Sequence, residues 1–363
     1  MTIRVPENIR AIKPYVPGKP MEELERELGI ARSIKLASNE NPLGPSPMAL
    51  DALRDALSQL HRYPDGSGHT LVQALAQHLG CPAEAIVIGN GSDDIIALLA
   101  HTLLRPGERA VMPQPSFLMY EIAVRTVGAE PVFVPLQDLA IDLEGMRRVV
   151  DADTRLVFLC NPNNPTGTTI ARSDFVRFIE ALPPEVVVVV DEAYIEFVRD
   201  PDCLQSRTYW GNDHPVVTLR TFSKLYGLAG LRVGYGVMPA ELAGYLNRIR
   251  QPFNVNSLAQ IAARAALRDR DFVERTLSVV HDGLDFLCQA LTEMGVRFFP
   301  TQSNFFLIDV EQDAEALFHA MLRQGVIVRS MKSYGYSRYI RVNVGTAEEN
   351  ERFLKALRKV LGR

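Results

Sequence analysis

The chain of 363 residues is short of several things, and each shortage removes a class of protein. It has four cysteines, Cys81, Cys160, Cys203 and Cys288, far apart and never as CxxC. That spacing argues against a disulfide scaffold and for reduced thiols in a cytoplasmic protein. Its seven histidines show neither HxxxH nor HExxH spacing, so no metal site is expected. No apolar run approaches the ~18 residues of a membrane span, and the start of the chain lacks an apolar stretch of signal-peptide length. Positive charge is not in excess: 39 Lys and Arg stand against 43 Asp and Glu, a net charge of -4. A nucleic-acid footprint is therefore not expected. What remains is ordinary for a soluble globular protein, 47% hydrophobic and 23% charged, and long enough for two domains.

Taken in order, residues 1–35 read as an arm. Its prolines bias Arg10 to Pro20, with Tyr15 among them, towards extended backbone, and Met21 to Leu28 reads as a short helix. The turn-rich stretch Leu36 to Pro45 is a loop dense in polar side chains, the kind that carries function, and Asn39 lies in it. A helix over Ser46 to Leu60 follows. Then comes a glycine-rich loop, Arg62 to Gly68, which carries Tyr63. Strand Ala85 to Ile88 runs into Gly89-Asn90-Gly91-Ser92-Asp93-Asp94 and an apolar helix. That order presents backbone N–H groups to an anion. A Walker loop is absent, and Asp94 stands where a dinucleotide loop needs its third glycine, so a small phosphate is the expected anion. Asp93 would repel it, so contact there falls to the backbone or to Ser92.

Strands and helices alternate to about residue 240, which predicts an α/β fold with an open, mostly parallel sheet covered on both faces. Ligands of such sheets lie beyond the carboxyl ends of the strands. Phe117 follows strand Ala110 to Met112 and can stack on a flat heterocycle or simply fill core. Asn164 lies in the loop Cys160 to Gly167. The apolar run Val186 to Val190 reads as a doubly covered strand and ends in Asp191-Glu192-Ala193-Tyr194. A buried acid there needs a cation, although a helix cap or ordinary ion pair would also serve. Strand Val216 to Leu219 ends in Thr221-Phe222-Ser223-Lys224, with Arg232 eight residues on. A lysine among small hydroxyl residues, followed by an arginine in glycine-rich sequence, suits a cofactor carrying an aldehyde and a phosphate, such as pyridoxal 5'-phosphate. After residue 250 the chain breaks at Gln251 to Asn256. A long helix, Asp271 to Met294, leads to strands and helices without strict alternation, read as a smaller α+β domain over 251–363. There Arg329 ends a strand Val326 to Arg329, and Arg341 lies inside another, Tyr339 to Val344.

The set NPNNPTG, DEAY and TFSKLYGLAGLRVG resembles the fold-type I pyridoxal-phosphate aminotransferases. With KPYVPGKP, LASNENPLGPSP, RYPDGSG, GNGSDD and IRVNVGT the resemblance covers essentially the whole chain and is similar to the histidinol-phosphate aminotransferase family. It implies a large cofactor domain over 36–250 and a homodimer with shared active sites. It also implies transfer of the amino group of L-histidinol phosphate to 2-oxoglutarate in L-histidine biosynthesis. By residue, Lys224 is the implied Schiff-base and proton-transfer lysine. Asp191 pairs with the pyridine nitrogen, and Asn164 and Tyr194 with the cofactor's phenolic oxygen. Ser92, Asp93, Thr221, Ser223 and Arg232 form the phosphate cup, Phe117 stacks on the ring, and Tyr63 reaches the partner's phosphate. Tyr15, Asn39, Arg329 and Arg341 are the implied substrate-binding set. An aromatic amino-acid aminotransferase and a decarboxylase of a phosphorylated amino acid share most of these motifs. A DNA-binding regulator built on the same fold would need a module for which the arm before Leu36 has no room.

Overall fold

The computed structural model describes residues 3–14, 18–30 and 32–363. Thirteen strands occur in chain order among them: β1 (Ile34–Lys35), β2 (Ile86–Gly89), β3 (Arg109–Gln114), β4 (Glu130–Pro135), β5 (Thr154–Cys160), β6 (Val187–Asp191), β7 (Val216–Thr221), β8 (Gly234–Val237), β9 (Arg297–Phe298), β10 (Phe305–Asp309), β11 (Val326–Ile327), β12 (Arg329–Ser330) and β13 (Tyr339–Asn343). β2 to β8 form one sheet in the order β2-β8-β7-β6-β5-β3-β4. β3 to β7 pair in parallel, and β8 runs antiparallel between β7 and β2.

The valine run of β6 shows why this sheet holds together. Val187 and Val189 enter one buried cluster with Leu156 and Phe158 of β5. Val188 and Val190 enter the cluster on the other face with Val157 and Leu159. Successive side chains point to opposite faces, so a strand covered on both sides has to be apolar throughout. The alternation carries Asp191 to the face of Val189, among packed aromatic rings. Nearby, Arg220 at the end of β7 bonds Glu192 at 2.6 Å and Glu196 at 3.0 Å, and Glu192 is fully buried. This ion trio ties the segment after β6 to the end of β7.

The sheet switches direction at β3, whose neighbours β4 and β5 lie on opposite sides of it. The turns after β2, β3, β5, β6 and β7 therefore open at one edge, the location expected for a ligand. A 24-residue helix, Arg270–Glu293, capped by the Asp269 carboxylate, leads from this sheet to the C-terminal strands. There β12-β13-β10-β9 form an antiparallel sheet, and β11 pairs with β1.

Two sequence expectations need correction here. Val326 to Arg329 is not one strand: β11 and β12 belong to different sheets, so Arg329 begins a strand rather than ending one. Nor does the extended stretch begin at Arg10, which closes a single helical turn, Glu7–Arg10. Among the described residues no helix is long and apolar enough to cross a membrane.

Candidate active site

A cleft of about 210 Å³ lies at the carboxyl edge of the large sheet. Among the described residues, every site residue expected from the sequence lines it except Tyr63. Tyr63 stands on the surface, 84% exposed, and Tyr15 lies outside the described residues.

At one end a turn gathers small hydroxyls around a guanidinium. Ser92 begins the helix Ser92–Leu103 behind Gly91, whose φ of 79° suits glycine. A Cβ on Gly91 would sit 2.5 Å from Arg232 Nη2. Arg232 itself has left-handed backbone, φ 56°, which aims its side chain into the turn. It donates to Ser223 Oγ at 3.5 Å and to Asp93 Oδ2 at 3.3 Å. Asp93 therefore faces Arg232 and partly offsets its charge. Helix N-terminus, Ser92, Thr221, Ser223 and Arg232 together form an anion cradle.

In the middle lies Asp191, buried among apolar side chains. Burial pushes its carboxyl up to about 6, opposed chiefly by a hydrogen bond from the Tyr120 hydroxyl to Oδ2 at 2.7 Å. Its other oxygen, Oδ1, is buried with no hydrogen-bond partner among the described residues. A buried acceptor left in that state calls for a donor or cation. Phe117 and Ala193 line the cleft beside it. Tyr120 was not singled out in the sequence, although it stands one helical turn after Phe117. Its ring is fully buried and stacks on Phe158 at 4.8 Å, so its apolar packing conceals its polar task.

Lys224 stands opposite. Its Nζ donates to the Ser38 carbonyl at 3.1 Å and lies 5.7 Å from the centre of the Tyr194 ring. Burial first, and then the nearby Arg341 charge, bring its amine down to about 8. The folded protein thus releases the Lys224 proton between about pH 8 and 10.5, where the unfolded chain still holds it. Stability rises with pH wherever the unfolded chain holds more protons. The cost of the buried charge is therefore greatest below pH 8 and fades towards pH 10.5. Near pH 7 the cofactor-free Lys224→Met protein should be more stable than the parent by up to roughly 3 kcal/mol. The gap should close towards pH 10.5 in denaturant unfolding, and a gap constant with pH would contradict the burial.

At the far end Asn39, Asn164, Tyr194 and Arg341 interlock. The Arg341 fork donates to Asn164 Oδ1 at 2.5 Å and to the Ala37 carbonyl at 2.8 Å, and its guanidinium lies 5.1 Å from the Phe305 ring centre. Engaging the Asn164 oxygen leaves Nδ2 as the group able to donate to a ligand. Asn39, left-handed at φ 55°, donates to the Tyr194 hydroxyl at 2.9 Å. Burial raises the Tyr194 phenol, keeping its proton available to donate. Arg329 and Arg341 are cross-strand register partners on β12 and β13, and both line the cleft.

This arrangement holds an anion cradle, a buried carboxylate, a lysine of lowered pKa and a second cationic end. It also has a family. Residues 31–357 match the model of the aminotransferases of class I and II. The chain belongs to the class I and II aminotransferases. It is 47% identical to the histidinol-phosphate aminotransferase of Moorella thermoacetica over 98% of this chain and 92% of that one. It is 48% identical to that of Desulfotalea psychrophila, covering 98% and 95% of the two chains. The crystal structure of histidinol-phosphate aminotransferase from Sinorhizobium meliloti in complex with pyridoxal-5'-phosphate superposes with a TM-score of 0.91. That match has 30% identity and covers 100% of this chain and 98% of that one. This aminotransferase therefore has the fold-type I architecture expected from its motifs.

Proposed function

We propose that this aminotransferase is a cytoplasmic, homodimeric pyridoxal-phosphate enzyme acting between L-histidinol phosphate and 2-oxoglutarate, with imidazole-acetol phosphate and L-glutamate as products. The observation that carries the substrate reading is the Arg329–Arg341 pair across β12 and β13. Neither substrate resembles the other except in ending in an anion. One pair of guanidinium groups can bind a phosphate monoester and a dicarboxylate in turn.

The cofactor reading rests on fit. The buried Asp191 Oδ1 lacks a partner, and a protonated ring nitrogen is the donor it needs. Ser92, Thr221, Ser223 and Arg232 would hold the phosphate, and Phe117 the ring face. Asn164 Nδ2 and the Tyr194 hydroxyl would donate to the phenolic oxygen. When bound, pyridoxal phosphate supplies the aldehyde that takes up the amino group and the ring that accepts the electron pair from the substrate Cα. The chain supplies the rest. Lys224 Nζ, with an amine brought down to about 8, takes and returns the Cα proton near neutrality. Asp191 keeps its charge at pH 7 because a cationic partner lowers the carboxyl further. Arg329 and Arg341 orient the substrate's anionic end. Tyr15 and Asn39 complete the substrate set, Asn39 by orienting Tyr194.

The same reading divides the chain at 35/36 and 250/251. Its support is that the large sheet takes its strands from residues 86–237 and the four-stranded sheet from residues 297–343. Tyr63, exposed and outside the lining of its own cleft, completes the partner's phosphate cup. Mixing inactive Lys224→Ala subunits with subunits inactivated by mutation of the Tyr63 loop should restore activity, because one site of the hybrid is intact. No recovery after verified subunit exchange would mean that each chain completes its own site.

Arg341→Lys keeps the charge but loses the fork. Catalytic efficiency should fall roughly tenfold to a hundredfold with either donor in single-turnover kinetics. Equal, negligible effects of Arg341→Lys and Arg329→Lys would remove both from the site. The function itself is tested with a donor panel of histidinol phosphate, phenylalanine, tyrosine and phosphothreonine, each with 2-oxoglutarate. Histidinol phosphate should lead. Fast turnover of phenylalanine with little of histidinol phosphate would make the enzyme an aromatic aminotransferase, and carbon dioxide from phosphothreonine would make it a decarboxylase.

A further inference from the structure

Phe253 has two features that together need a reason. Its φ is 61°, a left-handed conformation unfavourable for a residue with a large side chain. Within the single chain Phe253 is 43% exposed, so burial in its own subunit does not repay the strain. What the ring does is stack on Tyr63, centroids 4.8 Å apart and planes 18° from parallel. Two exposed aromatic rings in a parallel stack, one on strained backbone, form a support and the group it supports.

The support is anchored on both sides. Arg250 donates to the Gly66 carbonyl at 2.9 Å and to Asn254 Oδ1 at 2.6 Å. Asn254 donates onward to Asp94 Oδ2 at 2.7 Å. Asp94 also accepts the Asn90 N–H at 3.0 Å, within the turn that forms the anion cradle. On the other side Gln260 donates to the Asp65 carbonyl at 3.0 Å. A Cβ on Gly66 would sit 3.3 Å from the Phe253 ring, so the glycine of the Tyr63 loop lets that loop lie close. The segment carrying Phe253 is thus tied to the turn of the anion cradle, the Tyr63 loop is tied to that segment at Gly66 and to Gln260 at Asp65, and the stack adds a restraint on the Tyr63 side chain itself.

We propose that Phe253 is a positioning residue for the shared active site: it holds Tyr63 in the orientation in which its hydroxyl meets the cofactor phosphate bound by the partner subunit. This rests on the composite-site reading above. Pre-setting the rotamer removes the ordering cost of the intersubunit contact, so the effect falls on cofactor affinity. An aromatic pair contributes about threefold to tenfold beyond its buried area, and a hydroxyl bond to a charged phosphate about tenfold or more.

The test measures the dissociation constant of pyridoxal phosphate from full-length protein, by fluorescence titration of the cofactor-free form. Sedimentation equilibrium sets a protein concentration at which every variant is dimeric. Phe253→Ala should weaken binding about threefold to tenfold, and Phe253→Tyr, which keeps the stack, should bind as the parent does. Tyr63→Phe should weaken binding by tenfold or more, and Tyr63→Phe with Phe253→Ala no further, because the support then has nothing to position. Losses that multiply in the double variant would overturn the proposal, as would unchanged affinity in Phe253→Ala. Unchanged affinity in Tyr63→Phe would instead overturn the composite-site reading, which separates the two failures. If Phe253→Ala does not fold, Phe253→Leu removes the ring while keeping bulk, and the same comparison decides.

Discussion

Replacing Lys224 by alanine will leave a folded protein that still takes up pyridoxal phosphate but has lost about two to four orders of magnitude in turnover. Lys224 is the one lysine among the described residues lining the cleft. No neighbouring amine can take over its proton transfer. The cradle of Ser92, Thr221, Ser223 and Arg232 is untouched, so the phosphate still binds. Nor should the fold suffer, because a half-buried amine whose charge is disfavoured is removed. Absorbance titration reads the retained cofactor, and single-turnover absorbance changes read the lost step. Turnover within tenfold of the parent would remove Lys224 from the chemistry.

The second large effect is expected at Asp191. Asp191→Asn keeps the shape and keeps an acceptor for the Tyr120 hydroxyl, now 2.7 Å from Asp191 Oδ2. What it removes is the charge that would face a protonated ring nitrogen in a buried setting. Removing one partner of a buried charge pair costs about 3–5 kcal/mol, which corresponds to about 10²- to 10⁴-fold in rate. Cofactor-free stability should change little or rise, since burial already works against this carboxylate and lifts it to about 6. The comparison is therefore internal: turnover falls by orders of magnitude while the unfolding midpoint of the cofactor-free protein holds. Near-normal turnover would give the ring nitrogen another partner and break the assignment of the DEAY motif.

The site was legible wherever chemistry sits at the end of a strong strand. β6 and β7 are apolar enough to be read directly, so Asp191 and Lys224 fall at their carboxyl ends without further information. β8 was missed because Gly234–Val237 has two glycines in four residues, and glycine weakens the local preference for a strand. There the glycines serve close packing: a Cβ on Gly234 would meet the Ser92 nitrogen at 2.6 Å. The division between β11 and β12 was hidden for a different reason. Val326 to Arg329 is continuous in pattern, and only tertiary pairing with Ile34–Lys35 on one side and β13 on the other separates it. Tyr120 and the Tyr63–Phe253 stack were illegible because each depends on contacts between distant segments. Asn39 lines the cleft as its loop suggests, but its bond to the Tyr194 hydroxyl at 2.9 Å joins segments 155 residues apart and has no local signal. A polar loop announces that it has a task without saying which partner it serves.

The chemistry of the site turns on where the cofactor is joined to the chain. Borohydride reduction of the holoenzyme fixes the pyridoxyl group to the amine that carries it, and peptide mapping by mass spectrometry then locates the label. The label should lie on Lys224 alone, with loss of the visible absorbance. A pyridoxyl group on any other lysine, or none with the absorbance retained, would contradict the site built here around Lys224, Asp191 and the Arg232 cradle.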